Sequence, residues 1–169
     1  MITISEVESA DVAWIDASLK SVQQRALVAR NSLTMQKQQD LTRVIIGTSG
    51  DAAQRKSEEI VAKLERTIMT MERLGGALTA AKSRLTDSRT RVLEYVSTLR
   101  GQGWGVADNG TVSLEPGSPL AGYASISPVN EMHVRQLAAE NSMNLKTLLA
   151  QFQSADANAA AQIKAVAGG

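Results

Sequence analysis

His133 is the only histidine in the chain, and Glu131 stands two positions before it. A catalytic imidazole needs a nucleophile at its side and a third group to orient it. No spacing in the sequence selects such a trio, so His133 reads as a surface residue near a helix start. Cysteine is absent, which removes thiolate chemistry, disulfides and sulfur ligation of metals. The glycines of "GQGWG" (101–105) lack the Lys and Ser/Thr that a phosphate-binding loop requires. Trp14 and Trp104 remain. A tryptophan either plugs the end of a helix bundle or anchors a partner, because it is enriched in interface hot spots. Both readings stand, and both residues are carried as candidate partner contacts. Met69, Met71 and Met132 fall at helical spacing as core or contact filler. The expectation is a non-enzymatic protein with no cofactor and no metal.

Composition narrows what can position these residues. The 169 residues are 43% apolar but only 3% aromatic, which favours a core of Leu, Ile, Val, Ala and Met between close-packed helices over a β-sandwich. The net charge of +1, from 18 basic and 17 acidic residues, gives no general attraction to nucleic acid or acidic membrane. No apolar run approaches the roughly 20 residues of a membrane span. The start carries Glu6, Glu8 and Asp11 with no basic stretch, unlike a cleaved secretory signal. Pro116, Pro119 and Pro128 are the only prolines, so the flanking regions are free of the strongest helix breaker.

Those regions are written in sevens. Leu64, Met71, Leu78, Leu85, Val92 and Leu99 form one register; Ile60, Thr67, Leu74, Ala81, Ser88 and Tyr95 form a second. Together they draw an apolar seam along one helix over 51–100, roughly 75 Å at 1.5 Å per residue. Gly75-Gly76 within it predicts a slight bend or a close helix approach. The region 1–46 carries a matching seam at Ile15, Leu19, Val22, Ala26, Ala29 and Leu33. That seam weakens at "MQKQQD" and resumes at Leu41, Val44 and Ile45. A separate short helical turn is expected in "ITISEVES", and Ser9 or Asp11 is expected to cap the longer helix.

Between the two seams lie Gly47, Thr48, Ser49 and Gly50. A seam of sevens is buried only against another seam, and two glycines flanking cap-type residues let the chain reverse there. Gly47 then ends the first helix at positive φ, and Ser49 or Asp51 caps the next, with Gln54 at capping-box spacing from Asp51. The alternative is a kink in one very long helix. Residues 101–128 change grammar: Trp104 and Val106, then Thr111 to Leu114, flank Asn109-Gly110, a pair favoured in two-residue hairpin turns. "EPGSPLAGYASISP" reads as an irregular connection. A third helix is predicted over 129–167, with Asn130 or a neighbour as cap. The fold class is therefore all-α, in one domain: an antiparallel helical hairpin, a third long helix packed along it, and a small β-hairpin between helices two and three.

This arrangement resembles the WXG100-like superfamily of type VII (ESX) secretion substrates, and most of all the longer actinobacterial N-terminal domains. The residues that carry the resemblance are Trp14 and Asp16 in "ADVAWID", "GTSGDAA" between the long helices, "GQGWGVADNGTVSL" after the second, and "SADANAAAQI" near the end. Ser49 and Gly50 match the W-x-G turn, and Thr48 stands where the family has tryptophan. The family's tail tyrosine with an acid four residues later has no match, since Leu99 follows Tyr95 and Ser127 follows Tyr123 at that spacing. The resemblance implies a secreted, non-enzymatic module that pairs with itself or a related helical chain and passes the secretion machinery. It would be cytoplasmic before export, then secreted or at the cell surface without a cleaved signal. Two other readings stand beside it: a structural coiled-coil spacer of a phage or cell surface, and an exported bundle that opens and inserts in membranes, which the Ala-rich tail and the methionines permit and the mixed charges disfavour.

Overall fold

The computed structural model describes residues 1–47 and 50–167. It is mostly helical, with one small antiparallel sheet, as the all-α expectation requires. The elements are α1 (Ile4–Ser9), α2 (Ala13–Ile46), α3 (Asp51–Gly101), β1 (Trp104–Val106), β2 (Val112–Leu114), α4 (Pro119–Ala124) and α5 (Pro128–Ala167). They gather into two compact units. The hairpin unit holds residues 1–12 and 81–158, and the α2 unit holds residues 13–80 and the chain from Ala159.

In the α2 unit, Ile15, Val22, Ala26 and Ala29 of the seam are buried, and Leu19 and Leu33 are half-buried. Helix α3 runs unbroken through Gly75-Gly76. A Cβ on Gly75 would sit 3.8 Å from Val22 Cγ1, an ordinary van der Waals contact, and one on Gly76 would meet nothing within 4 Å, so neither glycine is required by a close helix approach. Arg30 pairs with Glu72 at 2.5 Å, Lys37 with Glu65 at 3.3 Å, and Gln36 Nε2 donates to Ser57 Oγ at 2.9 Å. These contacts tie α2 to the first half of α3. Gly47 ends α2 at φ +71°, the left-handed cap expected of it, and its N–H donates to Val44 C=O. Thr48 and Ser49 lie outside the described residues. The Gly50 carbonyl accepts from Ala53 and Gln54 N–H, and Asp51 sits inside the first turn of α3. There its carboxylate favours the helix N-terminus as a charge.

The hairpin unit is built around α3 from Ala81 onward in the seam's own rhythm: within it Ala81, Leu85, Val92 and Leu99 are buried, and α5 brings Val134, Leu145, Leu149 and Phe152 to the same core. Trp104 is buried to 5% exposure at the start of β1. Strands β1 and β2 pair Trp104 with Leu114 and Val106 with Val112. The turn differs from the two-residue form expected of Asn109-Gly110. Ala107 N–H bonds to Thr111 C=O, Gly110 N–H bonds to Ala107 C=O, and only Gly110 takes positive φ, at +80°. This is a three-residue loop with a glycine bulge. A type I′ turn needs left-handed backbone at the asparagine as well, which is not adopted. The segment read as irregular contains α4, started by Ser118, whose hydroxyl accepts from Ala121 N–H, with Pro119 in its first turn. Ser127 caps α5 by accepting from Asn130 N–H, with Pro128 at the first helical position. Asn130, expected as the cap, instead donates its side-chain amide to Tyr123 C=O.

Candidate functional site

Helix α1 is fastened at both ends inside the hairpin unit. Thr3 and Glu6 form a reciprocal capping box at its start. Asp108, from the hairpin loop, adds a second cap: its Oδ1 accepts from Ser5 N–H and Ser5 Oγ, both at 2.7 Å. Ser5's hydroxyl, then its backbone N–H, hold the Asp108 carboxyl below its ordinary value of 3.8 against the opposing effect of desolvation, with a lesser contribution from Thr3. At the other end Arg89 of α3 donates to Val7 and Glu8 carbonyls at 3.1 and 2.7 Å. An acid at the helix start and a base at its end complement the helix dipole. Among the described residues, no buried side-chain nitrogen or oxygen lacks a hydrogen-bond partner.

Two further clamps join α5 to its neighbours in this unit. Tyr95 OH donates to Asn141 Oδ1 at 2.9 Å. Ser142 Oγ accepts from Val112 N–H at 2.8 Å and donates to Ala138 C=O, so the outer edge of β2 is satisfied by a helix side chain. His133 is exposed on α5. Among the described residues, no three His, Asp or Glu side chains gather as a metal site would require.

The α2 unit is arranged the other way round. The seam does not weaken after Leu33; it turns polar. Gln36 and Asp40 continue its steps of three and four, and Ser57 continues the seven-spaced register of α3 one repeat before Leu64. These three meet: Ser57 donates to Asp40 Oδ2, and Gln36 Nε2 donates to both Asp40 Oδ1 and Ser57 Oγ. Ser57 is 6% exposed, a buried polar residue in a register otherwise held by aliphatics. The spacing of Ser57 was the available signal, hidden because a pattern sought in apolar residues passes over a serine in phase.

The apolar residues expected to resume the seam are not buried. Leu41 is 62% exposed, Val44 67% and Ile45 75%, and Ile46, Met35, Leu27 and Val28 are exposed as well. Leu41 and Ile45 are out of phase with Val22, Ala29 and Gln36, so a helix that turns Gln36 and Asp40 inward turns them out. Of the two tryptophans, Trp14 is 49% exposed at the start of α2 and available to a partner, whereas Trp104 belongs to a core. Of the turn residues, Gly47 and Gly50 are placed as described above.

No family model matches the chain, and neither a curated protein nor a solved structure matches it. Among the described residues, no helix is long and apolar enough to cross a membrane.

Proposed function

We propose that the chain is a non-enzymatic helical binding module associated with type VII secretion, a secreted substrate or the N-terminal domain of an effector. It works by coiled-coil-like pairing with itself or a related helical chain. The fold belonging to this reading is an antiparallel pair of long helices, α2 and α3, with α5 as the third. The observation that carries it is the exposed apolar set on α2, Leu27, Val28, Met35, Leu41, Ile45 and Ile46, on a helix whose inner seam buries Ile15, Val22, Ala26 and Ala29. Isolated exposed aliphatics are ordinary; a run of them along one helix marks an interaction surface. The pairing half of the proposal draws on this surface. The secretion half draws on the resemblance carried by Trp14, Asp16, Ser49, Gly50 and the segment 101–114.

An export assay tests it. Expressed with an epitope tag in an actinobacterial host, the chain should reach the culture filtrate. It should remain in the cells when the type VII secretion ATPases are deleted. Retention in both strains would remove the secretion half. A monomer in light scattering at high concentration that also recovers no helical partner from its own cells would remove the pairing half.

A further inference from the structure

We infer that the groove between β2 and α5 takes a short extended peptide, added as a further strand beside Leu114. The site lies wholly in the hairpin unit and does not depend on pairing through α2. Alternate residues of a strand turn their N–H and C=O toward the same edge. Ser113 faces Gly105 of β1, and Val112 N–H donates outward to Ser142 Oγ of α5 at 2.8 Å. Ser142 satisfies this edge at Val112 and no further. Leu114 stands two residues on and turns its N–H and C=O the same way. Among the described residues, no side chain or loop backbone bonds to either group.

Beside Leu114 the strand and the helix leave a groove of about 520 Å³. Val112, Ala124 and Val134, all buried, form its floor, and Ala138 and Ala139 of α5 form the far wall. These side chains are small, so the groove has room for a larger one brought by an occupant. Glu131 and Arg135 stand at the rim, paired with one another at 2.6 Å.

The open groups select the occupant. A free N–H and a free C=O on one residue are met together by extended backbone, which presents the complementary acceptor and donor at strand spacing. A helix has used those groups internally along its length, and a lipid chain has neither. Charge points the same way. Glu131 and Arg135 cancel, so nucleic acid or an acidic membrane finds no net counter-charge, whereas neutral peptide backbone needs none. Residues paired across strands turn their side chains to the same face. The peptide residue opposite Leu114 therefore sends its side chain over Val112, Ala124 and Val134. The chemistry that fits is a short strand with one leucine-sized apolar residue between polar ones. One edge residue and one side chain make a small contact, so binding is weak.

The probe is a blocked peptide, acetyl-Ser-Thr-Leu-Thr-Ser-amide, added to the isotopically labelled full chain into the millimolar range. A second peptide carries N-methylleucine at the centre, which removes the pairing N–H, and a third carries alanine there. Nuclear magnetic resonance follows amide shifts and amide exchange. Ala138→Leu fills the groove, with helicity checked by circular dichroism; Ala139→Leu, at an exposed position, takes its place if helicity is lost. In the free chain, Leu114 N–H should exchange at least about tenfold faster than Ser113 N–H. The leucine peptide should shift Leu114, Ala138 and Arg135 and slow exchange at Leu114. The N-methyl peptide, the alanine peptide and the filled groove should each weaken that response at least about tenfold. Slow exchange at Leu114 in the free chain would mean that the edge is already satisfied, and overturns the site. Shifts reproduced in full by the N-methyl peptide would mean that a side chain enters without strand pairing, and overturn the added strand. No shift at any concentration of peptide overturns the peptide as occupant.

Discussion

The two units place polar groups on opposite sides of the same kind of helix. In the hairpin unit the inner positions are Leu85, Val92, Leu99, Leu145 and Leu149, and the polar clamps Asp108, Arg89, Tyr95 and Ser142 work at the margins. In the α2 unit Gln36, Asp40 and Ser57 hold inner positions, and Leu41, Ile45 and Ile46 face out. The first arrangement derives stability from burial. The second gives up apolar burial inside for a hydrogen-bonded cluster and leaves aliphatics outside for something else to cover. Burial therefore has to be read from phase along the helix, since hydrophobicity alone marks Leu41 and Leu145 as equals.

The largest effect should separate those two leucines. Leu145→Ala in the hairpin unit empties a fully buried site and should cost about 2–5 kcal/mol in urea unfolding. Leu41→Ala should stay within about 0.5 kcal/mol under dilute conditions. Similar costs at both positions would erase the distinction between the units. Next comes Gly110→Ala. The substitution forces an L side chain into left-handed backbone, and its Cβ would lie 2.9 Å from Leu149 Cδ1 and 3.3 Å from Lys146 Cγ. Backbone strain alone is about 1–2 kcal/mol, and the melting temperature should drop accordingly. An unchanged melting temperature would mean that the hairpin does not seat on α5.

Ser57→Ala sharpens the comparison from the other side. It removes a donor to Asp40 and an acceptor from Gln36 and should cost about 1 kcal/mol. A gain in stability would show that the polar cluster is a burden on the seam. The smallest effect concerns acid. Asp108 titrates below its ordinary value in the folded chain, so its hold on α1 is complete above that value and fades as pH falls through the lower folded one. The Ser5 amide resonance should therefore be flat from pH 5 to 8 and move only below about pH 4. In Asp108→Asn that movement should vanish. A midpoint at or above the ordinary carboxylate value would contradict the cap.

The helices and the β-hairpin were legible because each rests on local signals: sevens in α3, and Asn109-Gly110 between short alternating segments. The buried phase of α3 from Leu78 to Leu99 follows directly from the register. What escaped depends on partners distant in sequence. Asp108 caps a helix more than a hundred residues earlier, and Arg89 closes the same helix, neither announced by spacing. The polar turn of the seam at Gln36, Asp40 and Ser57 was written in phase but not in hydrophobicity, and Leu41 and Ile45 were drawn inward by their type. The exposed aliphatics of α2 became visible only once the structure had fixed which side faces α3.

The central claim is that α2 and the first half of α3 lie side by side in opposite senses, which is what leaves one face of α2 outward. Spin labels at Arg30→Cys and Glu72→Cys, measured by electron–electron double resonance in the full chain at low concentration, test it most directly. A short distance, set by a helix spacing of about 10 Å plus the label arms, is the predicted result. A separation near 60 Å, the length of some forty residues of uninterrupted helix at about 1.5 Å each, would contradict it.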